Sequence, residues 1–448
     1  MDNRLFGTDG IRGLVNRYPM TPDLILKIGQ AAGAHFLRGN HRHQVIIGKD
    51  TRLSGYMLEA ALEAGFTSVG MDVILVGPLP SPAISSLTQT MRADLGVMIS
   101  ASHNDFHDNG IKIFGPDGYK LTDADEIAIE ERIHNDMGSL LAAPDQIGRA
   151  RRIEDARGRY IAHAKQSFPS YLRLDGLKIV IDCANGAGYT VAPAALWELG
   201  AEVITMGVEP NGININDDVG STKPQALQQR VLKEQAHLGI ALDGDADRLI
   251  LVDEKGTIVD GDQIMALIAL SWKQHNRLSK NTLVSTIMSN MGLELFLKDH
   301  EIALKRTKVG DRYVLEEMRT GGYGLGGEQS GHLIFADYSK TGDGLIAALQ
   351  TLAVIVERGR PASELLSLFK SMPQILRNVR DIDKKCLSDE TVSGQIRVIS
   401  DQLGKYGRVI IRPSGTEPVI RIMVESEDMD QAVTIVDQLH EVIKEASD

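Results

Sequence analysis

Apolar and polar positions along the chain fall into a unit that recurs three times. VIIGKD (45–50) is an apolar run closed by a polar turn, an apolar-periodic stretch follows to about Gly70, and the chain returns as MDVILVG. IVIDCANGAG (179–188) leads in the same way through TVAPAALWELG to AEVITMG. LVSTIMSNMG (283–292) leads through LELFLKDH to EIALKRTKVG. Short apolar runs bounded by Gly, Asn and Asp predict strands, and the longer stretches of helical spacing predict helices. Strand, turn, helix, strand is the signature of a parallel βαβ unit. The recurrence therefore predicts three related α/β domains. The end of the chain reads differently: RVIIRPSGTEPVIRIMVE predicts two strands around a turn, and the amphipathic MDQAVTIVDQLHEVIKEA predicts a closing helix, together a small α+β domain. The pattern changes in the polar stretch 142–158, at the turn Asp253–Gly256 and after Met372-Pro373, which gives domains over 1–150, 151–254, 255–368 and 369–448.

Composition narrows the class. At 448 residues, with 43% hydrophobic and 24% charged residues, the chain has the make-up of a globular protein of several domains. A net charge of −12 argues against nucleic acid or an anionic membrane surface as partner, so an anionic ligand needs local basic pockets. The two cysteines, Cys183 and Cys386, match neither a zinc-site nor a redox-pair spacing. The opening MDNRLFGTDG carries no apolar signal core, and no apolar run approaches the ~18 residues of a membrane span. A reduced, cytoplasmic location is expected.

The most telling polar stretch is ALDGDADRLILVD, where Asp243, Asp245 and Asp247 alternate between two apolar runs. Those flanks predict strand, tight loop, strand. In extended backbone alternate side chains point the same way, so the three carboxylates can converge on one cation. Without a cation each close pair would repel by about 4 kcal/mol at an effective dielectric of ~20. A solvated acidic turn is the competing reading. A calcium loop of the helix–loop–helix kind is excluded because Arg248 stands where its sharp turn requires glycine, and because the flanks are not helical.

Ligands of open α/β sheets bind beyond the carboxyl ends of the strands, so the turns after strands are the places to search. LGVMIS ends in Ser100-Ala101-Ser102-His103-Asn104, with Lys112 further on. Either serine can be a nucleophile or a phosphate carrier, or simply cap its own turn. Gly326-Gly327-Glu328-Gln329-Ser330-Gly331-His332 sets donors and acceptors among glycines, which suits a polyhydroxylated ligand. Arg412-Pro413-Ser414-Gly415-Thr416 offers a guanidinium, hydroxyls and backbone amides, the parts of a phosphate cradle. Near the start, Gly7 to Gly13 form another glycine-rich loop that holds Arg12.

Taken together, these residues make the chain resemble the α-D-phosphohexomutase family over its whole length. FGTDGIRG, ASHN followed by NGIK, DGDADR, GEQSGH and RPSGTEP carry the likeness, five motifs in family order. The resemblance implies three similar α/β domains with mixed sheets and a smaller C-terminal α+β domain, heart-shaped around a central cleft. It selects Ser102 as a phosphoserine and places Asp243, Asp245 and Asp247 on the ligands of one Mg2+ per subunit, completed by an oxygen of phosphorylated Ser102. Glu328 and Ser330 fall on the pair that binds sugar hydroxyls, and Arg412, Ser414, Gly415 and Thr416 on the substrate-phosphate loop. Arg12, Lys112, Arg248 and His332 fall around the reacting groups, with Lys112 or His332 as proton acceptor.

Gln329 within GEQSGH, with the FGTDGIRG opening, points to glucosamine phosphate. The implied reaction, that of an isomerase, interconverts glucosamine 6-phosphate and glucosamine 1-phosphate through glucosamine 1,6-bisphosphate, and feeds UDP-N-acetylglucosamine and cell-wall precursor synthesis. The alternative within the family is a phosphoglucomutase or phosphomannomutase. A magnesium-dependent phosphatase and a non-catalytic sugar-phosphate sensor are rivals from other classes. Family likeness also makes a homodimer an expectation. One position departs from the pattern: where the family commonly has proline after SHN, this chain has Asp105, a carboxylate expected to weaken phosphate affinity or change loop rigidity without abolishing activity.

Overall fold

A computed structural model of the protein describes residues 4–7, 9–135, 137–380, 382–413 and 419–446. It is built on four sheets. The first contains β1 (Ile11–Leu14), β2 (Gln44–Lys49), β3 (Asp72–Pro78), β4 (Leu95–Ile99), β5 (Asp108–Phe114) and β6 (Ala150–Arg152), in the order β1-β5-β4-β2-β3-β6. The second contains β7 (Lys178–Asp182), β8 (Glu202–Met206), β9 (Leu238–Leu242), β10 (Leu249–Asp253) and β11 (Ile258–Val259), in the order β11-β10-β9-β7-β8. The third contains β12 (Thr282–Thr286), β13 (Ala303–Thr307), β14 (Leu325–Gly327) and β15 (Leu333–Phe335), in the order β13-β12-β14-β15.

The three apolar repeats of the sequence are the parallel pairs β2–β3, β7–β8 and β12–β13, each with a helix between its strands. A third parallel strand follows in every unit, β4, β9 or β14. The chain then turns tightly into an antiparallel neighbour, β5, β10 or β15. The three units thus share one strand order, and the three tight turns are equivalent: residues 100–107, 243–248 and 328–332. Each stands at the carboxyl end of a buried parallel strand, where backbone groups and side chains are free to face a ligand.

The fourth sheet, β16 (Gln374–Arg380), β17 (Gly407–Pro413) and β18 (Val419–Ser426), is antiparallel with β18 in the middle. The helix Met429–Glu445 packs Ala432, Ile435, Val436, Leu439 and Ile443 into its core. The i, i+3, i+4, i+7 spacing of these positions is why this stretch is a helix with one apolar face.

A single apolar cluster runs from Ile84 and Leu87 of the first unit through Tyr160, Leu242 and Leu251 of the second to Leu293 and Leu349 of the third. Continuous burial of this kind fixes the units against each other, so the three turns meet. The fourth sheet attaches through Asn290, whose amide exchanges hydrogen bonds with Met372 N and O (2.9 and 3.0 Å). Buried Glu425 adds to this by accepting from Met291 N (3.2 Å). Among the described residues, no helix is long and apolar enough to cross a membrane.

Candidate active site

The aspartate turn is closed by its own backbone and by both neighbours. Ala246 N donates to Asp243 O within the turn (3.0 Å), Ser81 N of the first unit donates to Asp245 O (3.0 Å), and Gly344 N of the third donates to Ala246 O (3.0 Å). Leu249 N donates to Gly331 O (2.9 Å), and Arg248 forms a backbone bridge with His332, which ties this turn to the glycine-rich loop of the third unit. Two glycines are required by these close approaches. A Cβ on Gly244 would collide with the Ser102 carbonyl oxygen, and one on Gly331, at φ +90°, with the Leu249 carbonyl oxygen.

The structure separates the two serines that spacing alone could not. Ser100 Oγ donates to Asp50 Oδ2 (2.6 Å) and accepts the Ser102 N–H (2.9 Å), so it is spent on the loop itself. Ser102 Oγ donates to Asp243 Oδ2 at 2.6 Å. Its backbone is in the left-handed region at φ +53°, a conformation a serine keeps only when its surroundings impose it. His103 Nδ1 lies 3.4 Å from Ser102 Oγ; burial, with Arg248 and Arg12 nearby, lowers this histidine to about 4 and keeps it neutral.

Asp243, Asp245 and Asp247 are buried, and one carboxylate oxygen from each lies within 4.8 Å of the others. Burial and the charges of Asp247 and Asp245 push Asp243 well above the usual carboxylate range. Asp247 is held well below it: burial acts upward, but Lys112, His332 and Arg248 outweigh it. Asp245 Oδ1 and Asp247 Oδ1 are buried without a hydrogen-bond partner. Buried carboxylate oxygens left bare are costly unless something charged meets them. A hard divalent cation that takes oxygen ligands fits this donor set.

Around the triad lies a closed ring of alternating charge drawn from three units. Lys112 Nζ contacts Asp245 (2.7 Å), Asp247 (3.2 Å) and Asp9 (3.2 Å). Asp9 also pairs with Arg12 and with Lys120, and Lys120 reaches Asp311 at 2.5 Å. His332 closes the ring, with Nε2 3.5 Å from Asp311 and Nδ1 3.6 Å from Asp247. Burial would lower Lys112, yet Asp245, Asp9 and Asp247 hold it well above its ordinary value. Burial would likewise lower His332, but Asp247 and Asp311 raise it to about 9. In this arrangement Lys112 is charged at neutral pH; at His332 the two carboxylates favour the charged form, but the Gly342 N–H aimed at Nε2 opposes it. The neutral form open to His332 is the Nδ1–H tautomer, because Nε2 accepts the Gly342 N–H at 3.0 Å. Lys120 and Asp311 lie outside the sequence motifs, because only the tertiary fold brings them to the cluster; Asp9 stands within FGTDGIRG and His103 within ASHN, and neither has a role assigned to it there.

The remaining sequence candidates divide. Arg12 donates to Ala101 O (3.3 Å) and Arg248 N to Asp243 Oδ1 (3.2 Å), so both border the serine and aspartate turns. Glu328 accepts from Gly310 N (3.2 Å); burial raises it above the usual range against the pull of His332 and Arg248. Ser330 is exposed at the tip of its loop. Gln329 donates its side-chain amide to Asp260 Oδ2 (3.3 Å) and its carbonyl accepts Gly261 N–H (3.0 Å), so it ties the loop to the start of the helix Gly261–Gln274. Asp105 is exposed, and water screens its charge. Arg412 stands one residue before the end of β17, opposite Arg421, and burial together with Arg421 lowers it from its ordinary value. Ser414, Gly415 and Thr416 lie outside the described residues.

An open cleft of about 1220 Å³ between the first and third units borders the ring at Lys120 and Asp311 and is also lined by Tyr119, Glu126, Arg312 and Thr341.

Fold and site define a multi-unit α/β protein whose equivalent strand-end turns bring a serine, a carboxylate triad and a cationic shell into one buried cluster. The chain belongs to the phosphoglucomutase/phosphomannomutase family, the α-D-phosphohexomutases. Residues 3–138, 158–256 and 260–372 match the family's alpha/beta/alpha domains I, II and III, and residues 354–442 match its C-terminal domain. Similar sequences include the phosphoglucosamine mutases of Zymomonas mobilis, 62% identical with 100% of both chains covered, and of Sphingopyxis alaskensis, 60% identical with 99% of both covered. A phosphoglucomutase/phosphomannomutase family protein of Burkholderia thailandensis shares the fold at 22% identity, with a TM-score of 0.82 and 99% and 97% of the two chains covered.

Proposed function

We propose that the protein interconverts glucosamine 6-phosphate and glucosamine 1-phosphate through a phosphorylated Ser102 and a glucosamine 1,6-bisphosphate intermediate. The observation that carries this reading is the 2.6 Å contact between Ser102 Oγ and Asp243, which seats the serine of one unit on the carboxylate triad of the next. The names borne by relatives near 60% identity across the full chain support glucosamine phosphate over glucose or mannose phosphates.

Phosphorylated Ser102 would carry nearly two negative charges into a buried place. Arg248, Lys112, Arg12 and His332 stand around it to offset them. Asp243, Asp245 and Asp247, with phosphorylated Ser102, would hold Mg2+, which would supply positive charge against the phosphoryl oxygens. Glu328 and Ser330 take sugar hydroxyls while the loop from Arg412 to Thr416 takes the distal phosphate. Transfer from Ser102 to O1 gives the bisphosphate. The intermediate then turns around and returns its 6-phosphoryl group to the serine.

Either Lys112 or His332 accepts the hydroxyl proton. Lys112 must first lose the carboxylate partners that now keep it charged, and occupation of the triad by a cation is what would release it. The units themselves are proposed to divide near residues 150, 254 and 368, with β6 and β11 reaching past the first two boundaries.

A coupled assay with glucosamine 6-phosphate, magnesium and a trace of the 1,6-bisphosphate tests the proposal. Turnover of the amino sugar above that of glucose 1-phosphate is expected. A preference for glucose 1-phosphate, or inorganic phosphate released in step with substrate loss, would replace it with another mutase or a phosphatase.

A further inference from the structure

We infer that Arg52 and Asn216 are positioning residues that clamp the serine loop in the conformation that aims Ser102 at the aspartate triad. This rests on the reading of Ser102 as the phosphoryl carrier and assigns a function to residues outside every motif considered above.

Arg52 follows β2 and is 1% exposed. A guanidinium has five N–H groups, and here each has a protein acceptor. Nε donates to Asp50 Oδ2 (2.9 Å), Nη1 to Asp108 O (3.1 Å) and Asp105 O, and Nη2 to Ser102 O (3.0 Å) and Asn104 O (2.7 Å). Four of these acceptors are backbone carbonyls of the single segment 102–108. Asp50, the fifth, also receives the hydroxyl of Ser100, so the strand end and the loop hang on one buried ion pair.

Asn216 reaches the same place from the second unit. Its Nδ2 donates to Ser102 O (2.9 Å) and to Asn104 O (2.9 Å), the same two carbonyls that Arg52 Nη2 holds. Two units thus grip the peptide that leaves the left-handed Ser102 on its C-terminal side. A serine at φ +53° needs external restraint to stay there, since L side chains rarely adopt this conformation. If the grip is released, the backbone relaxes to an ordinary region and swings Oγ away from Asp243. A core-filling role alone would not require four of the five donors of a buried cation to end on one loop.

The test compares wild type, Arg52→Lys, Asn216→Ala and Ser102→Ala as full chains with magnesium, measuring kcat, KM for glucosamine 6-phosphate and Tm. Lysine keeps the charge but cannot span two carbonyls in a planar fork. Asn216→Ala removes two neutral donors without stranding a charge, so it decides the matter alone if Arg52→Lys does not fold. A misplaced reacting group costs on the order of 100-fold, so kcat is expected to fall about 100-fold in Arg52→Lys and about 10-fold in Asn216→Ala. KM should stay within about 3-fold, because the sugar is held elsewhere. Folded variants that keep wild-type kcat, or that raise KM while kcat holds, would overturn the clamp and leave the serine reading intact. Wild-type turnover in Ser102→Ala would instead overturn the serine reading itself.

Discussion

Replacing Ser102 with alanine is expected to reduce turnover of glucosamine 6-phosphate by at least ~10⁴-fold, the scale seen when a covalent nucleophile is removed. The substitution deletes one oxygen and its hydrogen bond to Asp243, so the protein should fold and still bind the sugar phosphate. Isothermal titration of the variant with glucosamine 6-phosphate checks the second part, and the coupled assay the first. The corresponding change at Ser100 should act differently. Ser100 Oγ braces Asp50 and the Ser102 N–H; its loss lowers turnover by loosening the loop, and phosphorylation at position 102 survives. A Ser100→Ala protein without incorporated phosphate would contradict this division of labour.

The second large effect concerns the triad. Chelation should remove activity and added magnesium should restore it. Asp243→Asn should lower kcat by roughly 10²–10³-fold even at saturating magnesium, in the range lost with one electrostatic contact to a transition state. The same substitution removes one of three buried carboxylates, the one that burial and its like-charged neighbours push well above the usual range. In the absence of divalent cation, then, Asp243→Asn should melt above wild type, and magnesium should narrow or reverse the gap, a trade between stability and function. Differential scanning calorimetry with and without chelator reads this directly. A variant less stable than wild type under both conditions would mean that repulsion within the cluster is already relieved by Lys112.

Much of this arrangement is legible in the sequence. The apolar repeats marked the βαβ units because period and flanking turn residues are local properties. The strand–turn–strand reading of Asp243 to Arg248 held for the same reason, with β9 and β10 on either side. Harder to see is that the serine, aspartate and glycine-rich turns occupy one equivalent place in three units, because that equivalence lies in a strand order set only when each sheet assembles. The choice between Ser100 and Ser102 was beyond spacing, because it depends on Asp50, which is distant in sequence. The ring through Asp9, Lys120, Asp311 and His332 depends on three units meeting; His332 and Asp9 stand in recognisable motifs, but no local signal marks Lys120 or Asp311. Gln329 shows the converse. Sequence likeness gave it weight in substrate choice, and the structure gives its amide a partner in Asp260, so any effect on the sugar passes through the placing of the loop.

The central claim is that Ser102 carries a phosphoryl group to and from both ends of an amino sugar. The most direct test labels the enzyme with 32P from labelled glucosamine 1,6-bisphosphate, then mixes it with unlabelled glucosamine 6-phosphate for a single turnover. The account predicts label on the peptide containing Ser102, passing into the bisphosphate at the rate of catalysis. Label found on another residue, or leaving as inorganic phosphate while the sugar stays unchanged, would contradict it.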